Sequence, residues 1–146
     1  MISVKYIDRF KIPTEDRVAG HPSVVMAICS LNNLQTTVPA IGVVDGGASH
    51  IHIRSDLVKK LGLTAIGEAA GSSAAGDANL VKYRARIWIP GVPFQGDFDV
   101  YEEKNWGDRF PQDLLLGRDF LNHFKWDFDG GFYNNFVPKY SEPPRP

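Results

Sequence analysis

The stretch Val43-Val44-Asp45-Gly46-Gly47-Ala48-Ser49 decides the reading of this chain, together with Leu114-Leu115-Leu116-Gly117-Arg118-Asp119-Phe120-Leu121 farther along. The first run ends an apolar strand in a glycine turn that carries one carboxylate. The second is an apolar strand that runs into glycine and opens a short helix. An Asp-Gly pair alone marks only a turn. Asp129-Gly130-Gly131 is such a case: it lies between the aromatic runs 124–128 and 132–136, where a hairpin turn is expected. Asp45 has a different setting. Ile41-Gly42-Val43-Val44 delivers it, the small run Gly47-Ala48-Ser49 follows, and a capped helix comes next.

The bulk properties fit one globular domain. A chain of 146 residues is near the usual single-domain size and buries a real core. With 16 basic and 17 acidic residues and a net charge of −1, nothing argues for nucleic acid or an anionic membrane as the main partner. The start, Met1-Ile2-Ser3-Val4-Lys5-Tyr6, has no positive segment leading into an apolar one, so no signal peptide is expected. No apolar run approaches the roughly 20 residues of a membrane-spanning helix. Cys29 is the only cysteine and sits in an apolar run, which excludes an intrachain disulfide and predicts a buried, inert thiol. The expected address is cytoplasmic.

The pattern is mostly β. Residues 24–30 and 36–44 are apolar runs, and Leu31-Asn32-Asn33-Leu34 between them has the asparagines of a hairpin turn. Residues 81–89 form the clearest strand: Val81, Tyr83, Ala85, Ile87 and Ile89 alternate with Lys82, Arg84 and Arg86, the period of a half-buried strand. Pro90-Gly91 turns the chain, and Phe94, Phe98 and Val100 supply the next alternation. Two short helices are expected. Ser55 is placed to cap residues 56–61, with Lys59 and Lys60 in the last turn and Gly62 beyond the end. The other spans residues 118–124 and is too short to stand without packing.

Together the two opening runs resemble the active-site signatures of the retropepsin-like aspartic proteases. In that family the first reads apolar-apolar-Asp-Thr/Ser-Gly-Ala, and the second apolar-apolar-Gly-Arg-Asp/Asn-apolar-Leu. The resemblance covers residues 24–129 and implies an all-β, closed or nearly closed barrel with one or two short helices. It implies a homodimer, since the chemistry needs two aspartates and each chain has one. The implied activity is that of an aspartic endopeptidase acting on polypeptide segments, with no metal or organic cofactor. Asp45 would be catalytic, and Gly47 and Ala48 would offer backbone to the substrate. Gly46, Ser49, Gly117, Arg118 and Asp119 would support the site, with Arg118 and Asp119 structural. The small-residue run 69–77 falls where the family folds a glycine-bearing hairpin flap over the substrate, with Gly71 or Gly76 at its tip. The domain would then span 23–137, after an N-terminal extension at 1–22 and before a proline-rich tail at 138–146.

The implied chemistry has a physical reason. Hydrolysis of a peptide at mild pH needs an activated water and a polarised carbonyl. Two carboxyl groups about 3 Å apart cannot both ionise easily, so they share one proton. One member then takes a proton from water while the other donates to the carbonyl oxygen.

The chain departs from the family pattern at Gly46, where the family has threonine or serine. By the resemblance, that hydroxyl bonds the opposite chain's loop and pins two loops together. Its absence is expected to cost the dimer about 1–3 kcal/mol, two net hydrogen bonds, and a threonine at position 46 is expected to restore it if the backbone angles allow. The departure motivates a rival reading, a dimer of this fold that binds peptide or mediates assembly without cutting. A second rival uses His50 and His52, two apart, with Asp45 as a third ligand of a metal-dependent enzyme. No further His-rich pattern supports it, and a satisfied or exposed histidine pair is the expectation.

Overall fold

A computed structural model describes residues 1–73, 76–104, 106 and 112–139, with residues 71–73 and 76–78 described by their backbone alone. Ala74 and Ala75 of the expected flap and most of the proline-rich tail, residues 140–146, lie outside the described residues.

The long apolar runs become a ring of strands. β3 (His21–Ser30) and β4 (Asn33–Val44) form the expected hairpin. β4 pairs in parallel with β9 (Leu114–Leu116), which pairs antiparallel with β5 (Ile51–Arg54). β5 pairs in parallel with β8 (Gln95–Glu103), and β8 antiparallel with β7 (Gly76–Trp88). β7 then returns to β3, with Ala27 opposite Trp88 and Ser30 opposite Ala85, and closes the ring. β2 (Lys5–Ile7) extends β3, and β6 (Ala65–Ser73) extends β7 as a hairpin arm.

The period of two puts one face of each strand inside the ring. Met26 and Ile28, Val38 and Ala40, Ile51 and Ile53, Ala85 and Ile87, Phe98 and Val100, and Leu114 and Leu116 form one core. Outward-facing Arg84 and Arg86 lie opposite Asp99 and Asp97 on β8 and pair with them at 2.7 and 2.8 Å. The opening apolar runs are unbroken because they are covered on both sides, as parallel pairs are. Val44 and Leu116 face the barrel core, while Val43 and Leu115 pack outside it against Trp106.

A second sheet is made from the two chain ends. β10 (Phe124–Asp129) and β11 (Phe132–Pro138) form a hairpin, and β1 (Ile2–Ser3) pairs with β11. The connecting Gly130 and Gly131 have φ of 63° and 82°, the left-handed pair that a two-residue hairpin turn of the primed type requires. Phe124 and Phe136 carry this sheet into the barrel core, and Trp126 stacks on Phe136 at 4.4 Å.

Two helix expectations need correction. Helix α1 (Ser55–Leu61) ends at Gly62 in the left-handed region, as the sequence implies, but Ser55 does not cap it. The strand β5 runs to Arg54, which is itself the extended N-cap residue; Ser55 is already helical and its buried hydroxyl has no partner among the described residues. Helix α2 (Arg118–Leu121) stops short of Phe124, whose aromatic run continues as β10. No helix among the described residues is long and apolar enough to cross a membrane.

Candidate active site

The parallel β4–β9 pair delivers the two sequence runs to the same end of the barrel. The ladder continues past Val44, where the Asp45 amide donates to the Leu116 carbonyl at 3.0 Å. Asp45 is half-buried, and Gly46 and Gly47 are exposed. The carboxylate folds its own loop: the Gly47 amide donates to Asp45 Oδ1 at 3.0 Å and the Ala48 amide to the Asp45 carbonyl at 3.2 Å. Aspartate closes such turns because its short side chain imitates a backbone acceptor.

The start of α2 lies directly under this loop. A helix start has amides with no partner of their own, and here the loop supplies two: the Arg118 amide donates to the Ala48 carbonyl at 2.9 Å and the Asp119 amide to the Ser49 carbonyl at 3.2 Å. The Arg118 guanidinium reaches around the turn, donating from Nη1 to the Gly46 carbonyl at 3.1 Å and from Nη2 to Ser49 Oγ at 2.9 Å. Gly117 permits this close approach, because a Cβ there would lie 2.3 Å from the His50 carbonyl oxygen.

The site residues expected from the sequence therefore fall into two places. Asp45, Gly46, Gly47, Ala48, Ser49, Arg118 and Asp119 form one hydrogen-bonded unit, and Gly117 packs closely against the His50 backbone beside it. Gly71 and Gly76 lie instead on the β6–β7 hairpin, opposite Ala78 and Ser73. No hydrogen bond among the described residues links them to the Asp45 turn.

Three further side chains join the site: His50 and His52, which the sequence marks only as a pair two apart, and Tyr133, which has no local sequence signal. His50 Nδ1 lies 2.8 Å from Asp119 Oδ2, and its ring lies 4.6 Å from that of Tyr101. His52 Nδ1 is 3.3 Å from Glu103 Oε2, without hydrogen-bond geometry. Burial lowers the His52 pKa below its ordinary value, Glu103 pulls it back up, His50 lowers it, and Asp45 raises it. Each histidine thus faces a carboxylate of its own, and no group of three metal-ligating side chains gathers among the described residues. The third addition is Tyr133 on β11. A Cβ at Gly46 would lie 3.0 Å from the Tyr133 hydroxyl. A threonine at 46 therefore has to displace that hydroxyl before it can restore anything.

Arg118→Lys tests the clamp. A single ammonium cannot reach the Gly46 carbonyl and Ser49 Oγ as the forked guanidinium does. Hydrogen exchange of the Gly47 and Ala48 amides should speed up by about tenfold, one net hydrogen bond's worth, while the unfolding temperature barely moves because the contacts are exposed. Unchanged exchange, or a matching fall in unfolding temperature, contradicts a role confined to the turn.

Comparison with solved structures identifies the fold. No family model matches the sequence, and no curated protein matches it. A retropepsin-like aspartic protease from Rickettsia conorii superposes with a TM-score of 0.58 at 17% identity, covering 95% of this chain and 92% of that one. The EIAV protease complexed with the inhibitor HBY-793 is similar over 75% of this chain and 92% of that one, with a TM-score of 0.47 and 17% identity. The retroviral protease-like domain of Ddi1 from Leishmania major covers 80% of this chain with 94% of its own, with a TM-score of 0.44 and 16% identity. The likeness to the Rickettsia structure runs through nearly the whole of both chains, and the chain has the retropepsin-like aspartic protease fold.

Proposed function

We propose that the protein is an aspartic endopeptidase that cuts extended polypeptide segments as a homodimer, with Asp45 of each chain forming the dyad. The observation that carries this reading is the double tie between the Asp45 turn and α2, through the backbone of Arg118 and Asp119 and the guanidinium of Arg118. Such a turn holds one carboxylate still, beside glycines that let a second turn come close.

Two such carboxyl groups sharing one proton supply both catalytic roles. The ionised member accepts a proton from water, whose oxygen adds to the carbonyl carbon, and the protonated member donates to the carbonyl oxygen. Collapse of the tetrahedral intermediate breaks the C–N bond: the protonated carboxyl passes its proton to the departing amine, while a hydroxyl of the intermediate returns a proton to the other carboxylate as the new carbonyl forms. The pair is left with one proton, ready for the next cycle. The β6–β7 hairpin suits the role of a cover, since an extended peptide can be held by main-chain hydrogen bonds as an added strand. No metal or organic cofactor is needed for these steps.

A second reading is a dimer of the same fold that binds peptides without cutting them. Gly46 under the Tyr133 hydroxyl favours it, because the turn differs there from the family pattern. Turnover of a peptide library at several pH values, with Asp45→Asn as control, separates the two. The protease reading expects a bell-shaped profile whose limits belong to the carboxyl pair.

His52 sets an expectation for stability at low pH. Its folded pKa is lowered, so the unfolded chain binds the proton more readily. Its contribution is fully present above the unfolded value of about 6.5 and is lost as pH falls from there through the folded pKa. Unfolding temperatures measured from about pH 7.5 to pH 5 should fall for the wild type. His52→Gln should remove part of that fall, and an unchanged slope contradicts the assignment to His52.

A further inference from the structure

The turn that carries Asp45 contains two consecutive glycines, which give a loop the most conformational freedom to lose. Something must keep it in place. From below, Arg118 holds the Gly46 carbonyl at 3.1 Å. Near the Gly46 α-carbon stands the Tyr133 hydroxyl, the one atom outside the adjoining residues within 4 Å of where a Cβ at 46 would lie, among the described residues.

The backbone does not explain the glycine. Gly62, Gly67, Gly91, Gly130 and Gly131 have positive φ, and Gly46 is not among them. A side chain at 46 is therefore compatible with the backbone and is opposed by its neighbour, since 3.0 Å is tighter than an ordinary Cβ contact.

That neighbour is not free to move aside. The Tyr133 ring lies 4.8 Å from Phe128 and 5.7 Å, edge-on, from Trp126. Its carbonyl accepts a hydrogen bond from the Tyr6 hydroxyl at 3.1 Å. The β10–β11 ladder shifts register between Asp127 and Phe128, immediately where Phe128 opposes Tyr133. Such bulges re-aim a side chain.

We propose that Tyr133 is a positioning residue for the Asp45 turn, its hydroxyl filling the volume of a residue-46 side chain, so that Gly46 and Tyr133 work as one coupled pair. The Arg118 guanidinium fixes the turn at the Gly46 carbonyl and the Tyr133 hydroxyl crowds it where a residue-46 Cβ would lie, and the glycine at 46 is there to admit the hydroxyl. The effect on turnover rests on the protease reading above; the coupling itself does not.

A double-mutant cycle tests it, using Tyr133→Phe, Gly46→Ala and the double variant of the full chain. Hydrogen exchange of the Gly47 and Ala48 amides is measured together with kcat and KM for a peptide. Tyr133→Phe should speed exchange and lower kcat several-fold at nearly constant KM, because a packing contact of the hydroxyl is lost. Gly46→Ala should also harm the wild type, because its methyl meets the hydroxyl. In the Tyr133→Phe background the same alanine should help, filling the vacated volume and slowing exchange again. That reversal of sign is the result the pairing requires. Equal harm from Gly46→Ala in both backgrounds overturns it. A wild type that turns over no peptide but shows the reversal in exchange refutes the protease reading and leaves the pairing standing.

Discussion

Asp45→Asn is expected to abolish peptide hydrolysis while leaving the fold in place. Asparagine has nearly the volume of aspartate, and its amide oxygen can still accept the Gly47 amide that now bonds Asp45 Oδ1 at 3.0 Å. The Asp45 backbone bonds to Leu116 and Ala48 are untouched by the change. Lost instead are the negative charge and the shared proton. In the dimer both chains carry the substitution, so the general base and the general acid vanish together. Each such role contributes about 10²–10⁴-fold, so turnover should fall by at least about a thousandfold. The unfolding free energy should stay within about 1 kcal/mol of wild type, a single net hydrogen bond at most. Cleavage that survives the substitution assigns the chemistry to other residues. A variant that unfolds assigns Asp45 to structure.

Gly117→Ala should cause the largest loss of stability at the site. The φ and ψ of Gly117, −83° and −172°, are open to any residue. Space is the obstacle: a Cβ there would lie 2.3 Å from the His50 carbonyl oxygen, 2.7 Å from the His50 nitrogen and 2.8 Å from the His50 carbonyl carbon. These are backbone atoms at the entrance to β5, and no rotamer change relieves them. The Gly117 carbonyl also accepts the Phe120 and Leu121 amides, both at 3.0 Å, so moving it disturbs α2. Overpacking of this kind costs about 1–3 kcal/mol and sometimes more, and rigid backbone on one side puts the expectation at about 3 kcal/mol or above. Urea unfolding measures it directly. A loss below about 1 kcal/mol, within the range of ordinary surface changes, means that the β5 entrance is softer than its packing implies.

Much of this site was legible in the sequence for a local reason. Strands covered on both faces leave unbroken apolar runs, so Val43-Val44 and Leu114-Leu115-Leu116 stood out before their pairing was known. The alternation at Ala85, Ile87 and Arg86 follows from one buried and one exposed face. Gly62 and the pair Gly130-Gly131 mark places where left-handed backbone is needed. Other features depend on partners far away in the chain and left no local mark. Ser55 has the chemistry of a cap, but β5 continues to Arg54 and consumes the cap position. Residues 122–124 suit a helix by composition, yet the pairing of Phe124 with Pro138 draws them out of it. Gly46 read alone is a missing hydroxyl; the Tyr133 hydroxyl that stands over it arrives on β11. The bond between His50 and Asp119 likewise exists only because α2 starts beneath the Asp45 loop.

On the protease reading, one active site is built from two chains, each giving one Asp45. Subunit mixing tests it most directly. Peptide turnover by a fixed, low concentration of wild-type protein is followed while Asp45→Asn protein is added in increasing excess, with time allowed for exchange. A two-chain site predicts progressive suppression, because each mixed dimer holds a single competent carboxylate and withdraws a wild-type chain from the active pool. Turnover that stays constant throughout the addition would mean that each chain works alone, and it would contradict the shared dyad.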